Sequence, residues 1–308
     1  MSGQENGHVP VLVAEVTDWL LTDPHGVYVD GTLGGAGHSK ALLNELSSDA
    51  TLLGIDADSK TLEIAAQQLA DYPQNILLAE ANFSHMAALL YKEEIEEVDG
   101  ILLDLGLSSF QIDIPEKGFS YMKDGPLDMR FSHTSTETAA KFINTAEEKD
   151  IAYVIKRYGG ERYAKKIARS IIVNRPMSTT TELREAVAAV TPDSFLIKTL
   201  SRVFQALRIH VNRELDVLEQ TLNSSLTLLK AGGRLAVISY HSLEDRVVKN
   251  FIKEAEQDCI CPPELPQCVC DHEQVMQSLT KGIITPSEDE IRANPRARSA
   301  KLRVAERL

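Results

Sequence analysis

Cysteine is scarce in this chain, and all of it lies between Cys259 and Cys270. A protein of 308 residues with its thiols confined to one short stretch is not held together by a disulfide framework. Aromatic residues make up only 6%, with a single tryptophan, which argues against a surface that stacks successive bases. Long apolar runs are missing as well. The longest, Met86–Tyr91, falls far short of the ~20 residues that cross a bilayer, so no membrane association is expected. Met1–Gly7 has neither a basic nor an apolar leader segment, so a cytoplasmic location is expected. Positive charge is in deficit: 32 Lys and Arg against 45 Asp and Glu give a net charge of −13. That balance excludes a surface basic all over and leaves room only for a local basic face.

What is present is the composition of a globular protein, and its 43% hydrophobic content is too high for a disordered chain. Short continuous apolar runs alternate with helical patterns. Val27–Asp30, Thr51–Asp56, Ile76–Ala79 and Gly100–Asp104 read as buried strands, with helices expected over 38–46, 59–69 and 84–97. In the last of these, Glu93, Glu94, Glu96 and Glu97 would form the solvated side. This alternation predicts an α/β fold: a mostly parallel sheet covered by helices on both faces. The next strand signal is Gly233–Ser239. The stretch between Asp104 and Gly233 is several times longer than the ~30 residues a strand–helix–strand unit needs. It is rich in helical patterns, so residues 115–212 are expected to form an inserted helical subdomain. Residues 1–114 and 213–308 would then make up the discontinuous sheet domain. Helices over 213–230 and 243–256, and a last strand pair near 281–285 and 299–305, complete the expectation.

The first strand runs into Gly31-Thr32-Leu33-Gly34-Gly35-Ala36-Gly37, a glycine turn that lets backbone approach a ligand closely. Asp56 ends the second strand about 20 residues beyond it, the spacing of an acid that accepts ribose hydroxyls. A nicotinamide dinucleotide fits poorly, because Lys40 stands where its third small residue is required. S-adenosylmethionine has no pyrophosphate and needs only an acid ahead of a looser glycine turn, which Asp30 supplies. Asp30 either meets an amino group of the ligand or complements the following helix dipole. Asp30, Asp56 and Asp104 all end strands and should meet on the rim where α/β sheets bind ligands.

Several motifs resemble the RsmH (MraW) family. They are Asp30–Ser39, Gly100–Ser109, Gly118-Phe119-Ser120, Asp124–Arg130, Tyr240–Arg246 and Asn294–Ser299. The resemblance runs from about His8 to Leu308. It implies a class I methyltransferase sheet with an inserted helical domain. The implied activity is transfer of a methyl group from S-adenosylmethionine to N4 of a cytidine in 16S rRNA, near the decoding site of the small ribosomal subunit. It also implies that Ala36, Gly37, His38, Asp56, Phe83, Asp104 and Gln111 contact the cofactor. Many amino-group methyltransferases carry an Asp/Asn/Ser-Pro-Pro-aromatic motif after the fourth strand. Here that place reads Asp104-Leu105-Gly106-Leu107, so their catalytic account does not transfer.

The residues suggest their own chemistry. Asp104 is a candidate acceptor for the N4 proton. Methylation at carbon 5 would instead need a thiolate, and no cysteine lies near the strand ends. Tyr240 could stack on an extruded base, and His241 could bond to it or cap the next helix. Lys156, Arg157, Arg162, Lys165, Lys166, Arg169 and Arg175, with Glu161 the only acid among them, form a candidate RNA face. A second candidate is Arg292, Arg296, Arg298, Lys301, Arg303 and Arg307. Cys259, Cys261, Cys268 and Cys270, with His272 nearby, can be read as zinc ligands or as unliganded thiols, and no metal is assigned. The rival functions are an oxidoreductase, a non-catalytic ribosome-binding factor and a methyltransferase acting on protein.

Overall fold

The computed structural model describes residues 10–107, 112, 114–132, 136–259, 261, 269–270 and 272–308. His8, Gln111 and Cys268 lie outside the described residues. The chain forms two compact units, one of residues 1–106 and 216–308, the other of residues 107–215.

The first unit is built on β1 (Val27–Asp30), β2 (Thr51–Asp56), β3 (Asn75–Glu80), β4 (Val98–Asp104), β5 (Leu229–Ser239), β6 (Met276–Ser278) and β7 (Lys301–Arg307). They form one sheet in the order β3-β2-β1-β4-β5-β7-β6. β1 to β5 pair in parallel, and β7 runs antiparallel between β5 and β6. This is the mostly parallel α/β sheet expected. β1 and β4 are buried nearly end to end, which is why they read as unbroken apolar runs rather than alternating ones.

Helices cover both faces. On one, α1 (Val13–Leu20), α2 (Gly37–Glu45) and α3 (Ser59–Leu69) pack Val16, Leu20, Leu42, Leu43 and Ala65 against Tyr28, Leu52, Leu102 and Ala236. On the other, α4 (Met86–Lys92) contributes Met86 and Leu90 against Val29, Leu53, Ile101 and Val237. Leu218, Leu222, Val248 and Ile252, from the helices Glu214–Leu228 and Ser242–Ala255, complete that face.

The second unit holds α5 (Ala139–Thr145), α6 (Glu148–Gly159), α7 (Ala164–Val173), α8 (Thr180–Ala188) and α9 (Asp193–Asn212). Its own core joins Ile151 and Ile155 to Ile167, Ile171, Leu183, Leu200, Val203 and Leu207. The loop ahead of α5 folds back on itself. Gly118 sits at φ +70, where a Cβ would stand 2.1 Å from the Pro126 carbonyl oxygen, so only glycine fits. α10 (Glu214–Leu228) leads into β5, and α11 (Ser242–Ala255) follows it; α12 (Glu288–Ala293) precedes β7.

Three local expectations change. The helix expected over 84–97 is α4 plus a short 3-10 turn at Phe83–His85, and it stops at Lys92. Glu94 takes φ +57, and the Ile95 N–H closes the end on the Leu90 carbonyl. Four carboxylates so close together would repel the negative end of the dipole, so the helix ends before them. Residues 281–285 are not a strand; Ile284 makes only an isolated bridge to Leu302. The edge strand is instead β6, and β5 begins earlier than expected, at Leu229.

Candidate active site

The strand order reverses between β1 and β4, and ligands of α/β sheets bind beyond the strand ends at such a point. Register places the carboxylates there. Asp30 pairs with Gly54 on one side and Leu102 on the other. Asp56 and Asp104 therefore each stand two residues further along their strands, flanking the turn after Asp30.

Asp30 is buried and braces that turn. One oxygen accepts the Thr32 N–H at 3.1 Å and the other the Ser39 hydroxyl at 2.7 Å. Burial raises its pKa, against the pull of Ser39, His38 and Thr32. In this structure its bonds run to the turn and to the first residues of α2. Gly34 and Gly35 are the open part of the turn: a Cβ on Gly35 would meet nothing within 4 Å. Gly37 differs, because a Cβ there would come within 2.7 Å of Pro10. Ala36 is wholly buried at φ +59, which leaves its backbone as the part able to face a ligand.

Asp56 accepts the Gly34 N–H and the Asp58 N–H, both at 2.9 Å. Burial pushes its pKa up to about 6; the two N–H bonds oppose this, and the charges of Asp58 and Asp30 add to it. Phe83 follows β3, and its Cβ lies 3.2 Å from where a Cβ on Gly31 would stand, so it sits beside the turn.

Asp104 is the most connected of the three. Its N–H donates to Thr32 Oγ1 at 2.6 Å. Its Oδ1 accepts the Tyr240 hydroxyl at 2.9 Å, and its Oδ2 lies 3.7 Å from His38 Nδ1. Burial lifts its pKa to about 6, against the opposing effects of His38 and Tyr240; Asp30 and Glu244 contribute to the rise. His38 is buried, and its Nε2 lies 2.8 Å from the Val11 carbonyl oxygen. A carbonyl only accepts, so Nε2 carries a proton and Nδ1 faces Asp104. Burial and the Asp104 charge push the Tyr240 hydroxyl pKa upward, so it stays a donor.

The sequence reading missed this use of Tyr240. Its ring packs on Gly106, whose Cβ would stand 3.3 Å from Cδ2, and its hydroxyl is spent on Asp104. Thr32 and Ser39 were missed too, although both sit in the glycine motif. His241 caps α11: its Nδ1 accepts the Glu244 N–H at 3.3 Å, and Glu244 returns bonds to the Tyr240 and His241 N–H groups.

A glycine turn braced by Asp30, with Asp56 and Asp104 beside it, is a cradle for a ligand bearing hydroxyls and positive charge. The profile of the MraW methylase family matches residues 5–308, nearly the whole chain. The chain belongs to the MraW methylase family. One relative of this MraW-family chain is "Ribosomal RNA small subunit methyltransferase H" of Syntrophotalea carbinolica, 47% identical, with 98% of each chain covered. The protein of the same name from Caldicellulosiruptor saccharolyticus is 46% identical, covering 98% of this chain and 99% of its own. Among solved structures, an rRNA methylase from Streptococcus thermophilus aligns over 99% of each chain at 12% identity, with a TM-score of 0.44.

The two basic stretches of this MraW-family chain differ. Lys156, Arg157, Arg162, Lys165, Lys166 and Arg169 are exposed on and between α6 and α7. The one acid among them, Glu161, is buried, accepting the Tyr163 N–H at 3.0 Å and pairing with Arg202 at 3.2 Å. Burial opposes its charge, but those partners prevail and hold its pKa below the ordinary glutamate value. The Arg162 guanidinium lies 5.0 Å over the Tyr163 ring. Arg175 turns inward to the Ala146 carbonyl, which removes it from the face. The C-terminal stretch is divided: Arg292, Arg296 and Arg298 are exposed, whereas Lys301 and Arg303 both pair with Asp245, and Arg307 donates to the Leu226 and Val275 carbonyls. Among the described residues, no helix is long and apolar enough to cross a membrane.

Proposed function

We propose that this chain methylates the N4 amino nitrogen of a cytidine in 16S rRNA, near the decoding site of the small ribosomal subunit, using S-adenosylmethionine. The observation that carries the proposal is the set of carboxylates around the glycine turn, Asp30 buried and Asp56 and Asp104 partly buried, all with raised pKa values. It occurs in a chain that shares about half its residues with proteins named small-subunit rRNA methyltransferases. Buried anions with raised pKa values are expensive without a counter-charge. A ligand bearing a sulfonium and an ammonium relieves that cost, and ribose hydroxyls suit Asp56.

Bound S-adenosylmethionine supplies an electrophilic methyl carbon. Asp56 would accept the ribose hydroxyls with the lone pairs that the Gly34 and Asp58 N–H groups leave open. Backbone at Ala36, Gly37 and His38 lines the turn, and Phe83 flanks it. Gln111, the remaining contact implied by the resemblance, lies outside the described residues. The N4 lone pair is delocalised into the ring, so holding nitrogen in line with the methyl carbon is the larger part of the task, worth several kcal/mol and up to roughly 7–11 in ideal cases. Asp104 accepts an N4–H bond, which gathers electron density on nitrogen, and then takes the proton as the nitrogen turns cationic. A pKa of about 6 leaves Asp104 mostly ionised at neutral pH yet basic enough for that step. Tyr240 fixes one oxygen and His38 stands by the other, so the carboxylate is held in one orientation. The exposed basic face of α6 and α7 gives RNA a phosphate-binding surface.

Single-turnover methyl transfer to small subunits with bound S-adenosylmethionine tests the role of Asp104. Asp104→Asn is expected to slow transfer at least about 100-fold while still binding the cofactor. A normal rate would remove Asp104 from the chemistry.

A further inference from the structure

We propose that Cys259, Cys261 and Cys270 hold a structural zinc ion that clips the end of α11 to the start of β6. The three sulfurs lie within 4.8 Å of one another, and Cys270 Sγ is 3.6 Å from Cys259 Sγ. With zinc–sulfur bonds of about 2.3 Å, two ligands of a tetrahedral site stand roughly 3.8 Å apart. The observed spacing is therefore that of two thiolates sharing one ion. Soft sulfur ligands in a compact tetrahedral set select zinc over hard cations.

The backbone around the cluster is arranged to match. The Cys261 N–H donates to Cys259 Sγ and the Val269 N–H donates to Cys261 Sγ, each at 3.4 Å. Main-chain N–H groups aimed at sulfur stabilise the thiolate form that binds metal and fix its direction. The base of the loop is already tied: the Val275 N–H bonds the Ala255 carbonyl, the Ser278 N–H bonds Glu256, and His272 Nε2 lies 2.9 Å from the Glu254 carbonyl. A metal would close the tip of a loop whose stem is formed, and would anchor β6, the short edge strand.

The location argues for structure rather than catalysis. α11 starts beside Tyr240 at the rim and runs 14 residues, about 21 Å, before the cysteines begin. The cluster thus lies towards the end of the sheet opposite the methyl-transfer site. Cys268 lies outside the described residues; it and His272 are the candidates for the fourth ligand.

Untagged protein purified without chelators is expected to contain about one zinc per chain by elemental mass spectrometry. Cobalt(II) exchange should give the charge-transfer and ligand-field bands of tetrahedral cobalt thiolate. Cys259→Ser, Cys261→Ser and Cys270→Ser should each lower zinc occupancy about tenfold or more, while S-adenosylmethionine affinity stays within about twofold of wild type. Cys268→Ser and His272→Ala, run in parallel, identify the fourth ligand. If a serine variant fails to fold, release of zinc from the wild-type protein by a thiol-modifying mercurial, followed with a colorimetric chelator, reads the same bond. The proposal is overturned if reconstituted wild-type protein holds no zinc, if the three serine variants keep it, or if the sulfurs prove to be joined as disulfides in anaerobically purified protein.

Discussion

Asp104 stands between two demands. Burial lifts its pKa from the ordinary aspartate range to about 6, so the folded protein without cofactor holds that proton more tightly than the unfolded chain does. Between about pH 4 and pH 6 the folded state binds more protons, and this contribution to stability falls as pH rises through that window. Above it, the ionised carboxylate costs on the order of 3 kcal/mol. Asp104→Asn should therefore raise the melting temperature of the cofactor-free protein at pH 7.5 and leave it little changed near pH 4. Thermal unfolding at the two pH values checks this; equal shifts at both would show the carboxylate is not strained. The same groups predict how cofactor affinity responds to pH. A cationic ligand prefers Asp56 and Asp104 ionised, so calorimetric binding of S-adenosylmethionine should weaken as pH falls below about 6. A flat profile from pH 5 to 8 would contradict it. The three acids were legible because each ends an unbroken apolar run. The partners that hold Asp104 were not: Thr32 is 72 residues away in sequence and Tyr240 is 136, and only the completed sheet brings them together.

At the scale of elements, the basic face at the end of α6 and along α7 keeps its sign because Glu161 is buried under it, with Glu148, 3.6 Å from Arg169, as an acid at its edge. Replacing Lys165, Lys166 and Arg169 with alanine should weaken RNA binding and flatten its dependence on salt, reducing the log–log slope by about 2 to 3. Cofactor affinity should not move. Unchanged RNA affinity across a salt series would assign this face to solvent. A second element-scale test is Gly118→Ala. Its clash is with backbone, which cannot swing aside, so a loss of at least about 2 kcal/mol in denaturant unfolding is expected. A loss below 0.5 would mean the loop relaxes easily, by roughly the margin of an ordinary surface substitution. Element boundaries followed the sequence where apolar residues set them, as in β1, β2 and α3. They departed from it at α4, where clustered carboxylates end the helix, and at β6, which is too short to show any period.

At the scale of the molecule, the separation of Asp104 from Gly233 foretold extra helices between neighbouring strands. β4 and β5 do pair directly, and among the described residues all six helices from α5 to α10 lie between them in the chain. Fold class was open to reading because strand–helix alternation has few compact solutions. Substrate was not, because a sheet of this kind serves many chemistries and its identity lies in side chains on a rim. The most direct measurement is nucleoside mass mapping of small-subunit rRNA from cells with and without this protein. A methyl group on N4 of one cytidine near the decoding site is expected, present with the protein and missing without it. An unchanged modification pattern, or a protein-dependent methyl on another atom, would contradict it.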